Sequence, residues 1–412
     1  MNLYKISFWR LATLFTFFVT ASYCQDTGKR YLPKDLSNIR GFNYTAATAK
    51  GHPEMWLGYL PEETEREMDM ARKLNLNQVR VFVPYAPYIS DKEAYRKNLL
   101  HFVRTCHARD IGVMPVVGYS QEMLMDSAYR PQAREWVAFL VSTLSEESGI
   151  AIWDIKNEPV SLLDLRNEQE NRGSAPNPKF TFLRYISGVF HELDKKHPIT
   201  IGMASEPPME EYGDCVDILS FHDYSSTREQ IRAMIGRAKK YAARVNKPLI
   251  NSEIGCVGRA NPYDMAIEEY MNAGIGWYIW ELMITKSRWG PIHGVFYADG
   301  TVRDPSIIAA IMGIFRNRSA DILPENIDQE GRVTKLVDQA NQWLKKPDAS
   351  WEQGLDIAEQ AANMLETGQL VSMRLLPTRE VALMRTRLPD LPALHILLQK
   401  DISILEPYRQ KK

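Results

Sequence analysis

Short apolar runs rich in β-branched and aromatic residues recur along the chain. They alternate with longer segments whose apolar positions repeat every three or four residues. The short runs are IRGFNY (39–44), QVRVFV (78–83), GVMPVVG (112–118), AIWDIKNE (151–158), ITIGMA (199–204), DILSFHDY (217–224), PLINSEIG (248–255) and IGWYIWEL (275–282). Bounded by Gly, Pro, Asn or Asp, each predicts a β-strand. The intervening segments, from PEETEREMDMARKLNL through DKEAYRKNLLHFVRTCHARD to DPSIIAAIMGIFRNR, carry helical periodicity. The first opens on Pro61 with acids in its first turn, where the helix dipole favours them. Strand–helix alternation repeated eight times predicts an α/β fold, a closed parallel (β/α)8 TIM barrel. Between the fifth and sixth strands, SEPPMEEYGDCV leaves room for a short helix at most.

From about residue 320 the pattern changes. KLVDQANQWLKK, WEQGLDIAEQAANMLETG and the segment around TREVALMRTRL read as helices with no strand between them. The predicted organisation is a targeting segment over 1–24, a barrel over 25–319 and a helical extension over 320–412 to which no chemistry is assigned. The amino terminus has Lys5 and Arg10 before the apolar run LATLFTFFVTA. That run is short for a membrane span and suits a secretory signal cleaved near Ala21 or Cys24. The mature chain is expected to be secreted or periplasmic with no membrane span. A lipid on Cys24 is disfavoured by the bulky Tyr23 before it.

Charge narrows the partners. The 50 basic and 51 acidic residues nearly cancel, so nothing global points to nucleic acid. Cys106, Cys215 and Cys256 form no CxxC pair, so neither a disulfide framework nor a structural zinc is expected. The sequons at Asn43 and Asn317 are of a kind that arises by chance in a chain this long.

In a barrel of this kind the site is built at the carboxyl ends of the strands. Those ends present Asn43 and Tyr44, Arg80, Tyr119 and Glu122, Asn157 and Glu158, Glu206, His222 and Tyr224, Glu253, then Trp280 and Glu281. Glu158 and Glu253, on strands four and seven, are the pair that retaining glycoside hydrolysis requires, with carboxyl groups roughly 5–5.5 Å apart. Their pKa values must be pushed apart so that one acts as acid and the other as nucleophile. Arg80 beside Glu253 favours its ionised form. Asn157 is placed to reach the hydroxyl next to the anomeric carbon, and Trp280 to floor the sugar. Because neighbouring strand residues point to opposite faces, Asn157 and Glu158 reach one mouth together only if the strand ends or bulges there.

The set RGFNY, NQVRVFV, WDIKNEP, SFHDY, PLINSEIG and GWYIWEL, in that order, resembles clan A of the glycoside hydrolases, most closely the cellulase-and-mannanase family 5, over residues 35–318. The resemblance implies Glu158 as acid/base and Glu253 as nucleophile. It makes Asn43, Arg80, Asn157, His222, Tyr224 and Trp280 the supporting or substrate-binding shell. It also implies no metal, no organic cofactor and a β-linked oligosaccharide or polysaccharide, of β-mannan or β-glucan type, as partner. Where many cellulases carry histidine after strand three, this chain has VVGYSQEM. A transglycosylase using the same glutamates and a non-catalytic glycan-binding barrel remain as alternatives. Trp56 and Trp289 are candidate outer-subsite aromatics.

Overall fold

A computed structural model describes residues 32–161, 164, 177–315, 331–346, 350–368, 377–386 and 388–410. The signal segment, Cys24 and Asn317 lie outside the described residues. No helix among the described residues is long and apolar enough to cross a membrane. The chain divides into two compact units, residues 1–313 and 314–412.

The first unit is the predicted barrel. Its strands are β1 (Arg40–Tyr44), β2 (Gln78–Val83), β3 (Gly112–Val117), β4 (Trp153–Asp154), β5 (Ile199–Thr200), β6 (Leu219–His222), β7 (Leu249–Ile254) and β8 (Gly276–Ile279). All pair in parallel, in the order β5-β4-β3-β2-β1-β8-β7-β6. The gap between β5 and β6 is closed just past the end of β5. There the His222 amide donates to the Met203 carbonyl at 2.7 Å and the Met203 amide to that of Ser220 at 3.4 Å. Helices begin where polar side chains satisfy their free amides. Asp91 caps Lys92–His107, Asn177 caps Pro178–Leu193 and Thr227 caps Arg228–Val245. The stretch read as at most a short helix forms one over Glu206–Tyr212. Ile39, Met114, Ala151, Ile152, Ile218, Ile250 and Tyr278 fill the barrel at the strands' amino ends, leaving the polar residues to the opposite mouth.

β4 ends two residues before the lysine of IKNEP, and the irregularity expected there is present. The Ile155 amide donates to the Thr200 carbonyl at 2.9 Å, and the next link runs from the Glu158 amide to the Gly202 carbonyl at 2.8 Å. Three residues advance on one strand against two on its neighbour, which is a β-bulge. Glu158 takes φ 40°, a left-handed backbone that costs a side chain on the order of 1 kcal/mol. The strained backbone delivers Asn157 and Glu158 to the same mouth.

The second unit is helical: Arg332–Leu344, Trp351–Thr367, Pro377–Arg385 and Leu391–Leu405. Its core is its own, with Leu336, Trp343, Leu355, Ala358, Leu365, Leu394, Leu398 and Leu405 buried. Gly354 permits the closest approach, since a Cβ there would lie 2.4 Å from the Trp343 ring. The last helix escaped the sequence reading because its first turn is LPA. Proline reads as a break, yet it is tolerated in a first helical turn.

Candidate active site

Arg80 organises the mouth. Its side chain is fully buried on β2, and its guanidinium is spent on four neighbours. Nε donates to Asp154 Oδ2 at 2.9 Å, Nη1 to Asn43 Oδ1 at 2.8 Å and to Glu253 Oε1 at 2.6 Å, and Nη2 to Asn157 Oδ1 at 2.6 Å. Burial works against its charge, but Asp154 and Glu253 outweigh burial and raise its pKa. Four strands are thereby tied through one side chain. Asn43 is fixed in turn by donating to the Ser252 and Ile279 carbonyls.

Glu253, at the end of β7, is nearly buried. Besides Arg80 it accepts the Tyr224 hydroxyl on Oε2 at 2.7 Å. Burial and the neighbouring Glu253 push the Tyr224 pKa far up, so Tyr224 stays a neutral donor. His222 Nδ1 lies 2.7 Å from Glu158 Oε1 and 3.3 Å from Glu253 Oε2, between the two carboxylates. One oxygen of each glutamate and a nitrogen of His222 lie within 4.8 Å of one another. These three could hold a cation by donor type, the one such group among the described residues. Arg80 at 2.6 Å from Glu253 already supplies the positive charge there.

Trp280 follows β8 and is half-buried. Phe82 and His293 meet its ring edge-on at 6.0 and 5.8 Å, and His52 does so at 6.5 Å. His52 lies flat on Phe82 at 4.0 Å. Burial, with Arg80 nearby, pulls its pKa down to about 4. The mouth is therefore polar on the side of Glu158 and Glu253 and aromatic on the side of Trp280. That is the two-faced surface a sugar ring presents in complement.

All eight site residues singled out from the sequence converge here: Asn43, Arg80, Asn157, Glu158, His222, Tyr224, Glu253 and Trp280. Others do not. Trp56, a candidate subsite platform, is buried and donates to the Phe82 carbonyl at 2.7 Å. Glu206 is buried in an ion pair with Arg237, and Glu281 is buried against His293. Glu122 is exposed at a helix start, and the hydroxyl of Tyr119 is buried. The sequon at Asn43 is inaccessible in the folded barrel. Sequence reasoning missed Asp154 and Gly202. Asp154 is fully buried, and its second oxygen accepts the Gly202 amide at 3.1 Å. Its signal was available, since an acid next to a tryptophan inside an apolar strand needs a cationic partner.

One expectation is corrected. The acid/base was expected to have its pKa pushed up, whereas Glu158 is held below the ordinary carboxylate range. The hydrogen bond from His222 is the main cause, opposed by burial and helped by the charges of His222, Arg80 and Arg259.

No family model matches this sequence, and no curated protein does. Solved structures do match. Exo-β-1,4-mannosidase Op5Man5 from Opitutaceae bacterium strain TAV5 superposes with a TM-score of 0.54 at 15% identity, over 66% of this chain and 58% of that one. The chain thus spans less than two thirds of that enzyme's length. A GH5_18 protein from Streptomyces cattleya, in complex with Manβ1-4GlcNAc, gives 0.55 at 12% identity, over 68% of this chain and 81% of the other. XEG5A, a GH5 xyloglucan-specific endo-β-1,4-glucanase from a metagenomic library, gives 0.51 at 16% identity, over 68% and 97%. The fold is that of the family 5 glycoside hydrolases. At these identities the likeness speaks for architecture, and the chemistry rests on the residues above.

Proposed function

We propose that the barrel is a retaining β-glycoside hydrolase. One observation carries the reading: Glu158 and Glu253, from the ends of β4 and β7, approach with oxygens within 4.8 Å across His222. This agrees with the roughly 5–5.5 Å carboxyl spacing of retaining enzymes, not the wider gap that an inverting enzyme leaves for water.

In the first step a Glu253 oxygen attacks the anomeric carbon while Glu158 passes its proton to the departing glycosidic oxygen. The products are a glycosyl ester on Glu253 and a free leaving-group hydroxyl. In the second step Glu158, now ionised, takes a proton from water. The water oxygen bonds the anomeric carbon and Glu253 leaves as carboxylate, so two inversions give retention. Arg80 and Tyr224 hold Glu253 in place on its two oxygens. With Asn157 Oδ1 occupied by Arg80, its amide NH2 is left to donate to the hydroxyl beside the anomeric carbon. The Glu158 side chain is 40% exposed before substrate binds. Covering it with a sugar adds desolvation, which raises a carboxyl pKa and restores the acid form.

The proposed substrates are β-linked glycans of mannan or glucan type, acted on outside the cytoplasm after removal of residues 1–24. Names of the matching structures include a mannosidase and endoglucanases, which supports that choice. The test is the product profile on soluble β-mannan, β-glucan, xylan and galactan, with Glu253→Ala and Glu158→Ala as controls. Release by the parent and by neither variant supports the reading. Products longer than the substrate point to transglycosylation, and binding without any release points to a glycan-binding barrel.

A further inference from the structure

The loops after β7 and β8 carry an unbalanced charge. Residues 255–262 and 284–293 contain Arg259, Lys286 and Arg288 and not one Asp or Glu, in a chain whose formal net charge is only −1. All three cations are exposed, and none has a carboxylate partner among the described residues. Unpaired arginines clustered in two adjoining loops are unusual in a barrel whose other arginines are mostly ion-paired. The loops pack together: a Cβ on Gly258 would lie 2.7 Å from Ile292 Cβ, and Cys256 Sγ is 3.7 Å from the Ile292 carbonyl oxygen.

Arg259 is the best placed of the three. Its guanidinium lies over the Tyr224 ring, 4.3 Å from the centroid, and the hydroxyl of that same ring donates to Glu253. Its charge also reaches Glu158. The turn presenting it is pinned on both sides. Cys256 and Asn261 exchange backbone hydrogen bonds of 2.9 and 3.1 Å. Buried Asn261 accepts the Gly255 amide at 2.7 Å and donates to the Ser225 carbonyl at 2.6 Å. Ala260 adopts φ 53°, a left-handed backbone unusual for a residue with a side chain. A locally strained, fully pinned turn that displays an unpaired guanidinium beside two glutamates is a binding feature rather than a solubilising one. In the adjoining loop, Arg288 stacks on the exposed Trp289 at 4.8 Å, a second pairing of a guanidinium with an aromatic ring.

We propose that these loops recognise an anionic substituent on the glycan, a sugar carboxylate or an acidic ester, in the unit beside the scissile bond. Arg259 contacts it directly and Arg288 reinforces it. The inference rests on the glycosidase reading of the site and names its substrate class. A planar guanidinium matches a carboxylate with two parallel hydrogen bonds, and an ammonium does not.

The experiment compares kcat/KM on a neutral β-linked oligosaccharide with the same backbone carrying a uronate, and with a sulfated form, for the parent, Arg259→Gln, Arg259→Lys and Arg288→Gln. The parent is expected to favour an acidic form, and whichever arm it favours names the anion. In Arg259→Gln the acidic-over-neutral ratio falls roughly 10- to 100-fold, as loss of a charge-assisted hydrogen bond predicts. Arg259→Lys recovers part of the ratio, and Arg288→Gln lowers it less. Added salt narrows the parent's preference. An unchanged ratio in Arg259→Gln, or a parent that prefers the neutral form, overturns the proposal. If the parent releases nothing from any substrate, the glycosidase reading has failed. Affinity for the uronate-bearing oligosaccharide then decides the inference separately: equal binding by parent and Arg259→Gln overturns it, and a tenfold loss sustains it.

Discussion

Gly202 offers a sharp test of the lattice beneath the glutamates. It follows β5 by two residues, and its amide is held by Asp154. A Cβ built there would lie 2.7 Å from Arg80 Nη2, 2.8 Å from Asp154 Oδ2 and 2.9 Å from His222 Nε2. Ordinary contact begins near 3.4 Å, so Gly202→Ala must drive these groups back by 0.5–0.7 Å. None can yield freely, because Arg80 is bonded on four sides and Asp154 and His222 are buried. Overpacking of this kind costs about 1–3 kcal/mol. Loss of one charge-assisted bond at Arg80 adds about 1.5–3 kcal/mol, not fully additively. Displacing Arg80 also moves Glu253 and Asn157, and misplacement approaching 1 Å costs activity on the order of 100-fold. Thermal melting and kcat/KM on the best substrate from the panel are the assays. A variant that melts with the parent and keeps kcat/KM within twofold would refute the claim that Arg80, Asp154 and His222 form one rigid lattice.

Two further outcomes follow from the electrostatics. His222→Ala removes the donor that lowers Glu158, so the alkaline limb of kcat/KM against pH moves upward, and a limb that stays put or falls contradicts the assignment. Buried Glu67 has its pKa raised by burial and by Glu63 from the ordinary 4.5 to about 8. The folded state therefore binds more protons than the unfolded chain between these values. Its contribution to stability is intact below pH 4.5 and declines as pH rises to 8. Glu67→Gln should be more stable than the parent at pH 8, by roughly 1–3 kcal/mol and with a higher Tm, the gain shrinking toward pH 5. Equal pH dependence of melting in both proteins would refute it.

Much of the fold was legible because the barrel repeats one pattern. β2 was read at its observed bounds, since QVRVFV is apolar on one face and closed by Asn77 and Pro84. β4 and β5 came out shorter than their apolar runs because hydropathy marks burial, and Ile155 and Ile201 stay buried past the ends of the two strands. The site residues were legible for a related reason: all but Trp280 are polar groups within or at the end of an apolar run, where burial without function would be costly. Asp154 and Gly202 were not found. What each meets across the barrel lies on strands distant in sequence, so Gly202 left no local mark, and Asp154 showed only that an acid inside an apolar strand needs a cationic partner. Trp56 was misplaced because the segment after β1, read as a loop, forms a short helix over His52–Leu57 that turns the ring inward, and its indole N–H donates to the Phe82 carbonyl.

In the proposed mechanism Glu253 attacks the anomeric carbon. An activated 2-deoxy-2-fluoro glycoside, in gluco and manno forms, traps such an intermediate because the fluorine slows its hydrolysis more than its formation. Mass spectrometry of the digested protein should find one glycosyl unit on the peptide containing Glu253, and none in Glu253→Ala. Turnover with no trapped species and an inverted product, or a label on any other residue, would contradict the account.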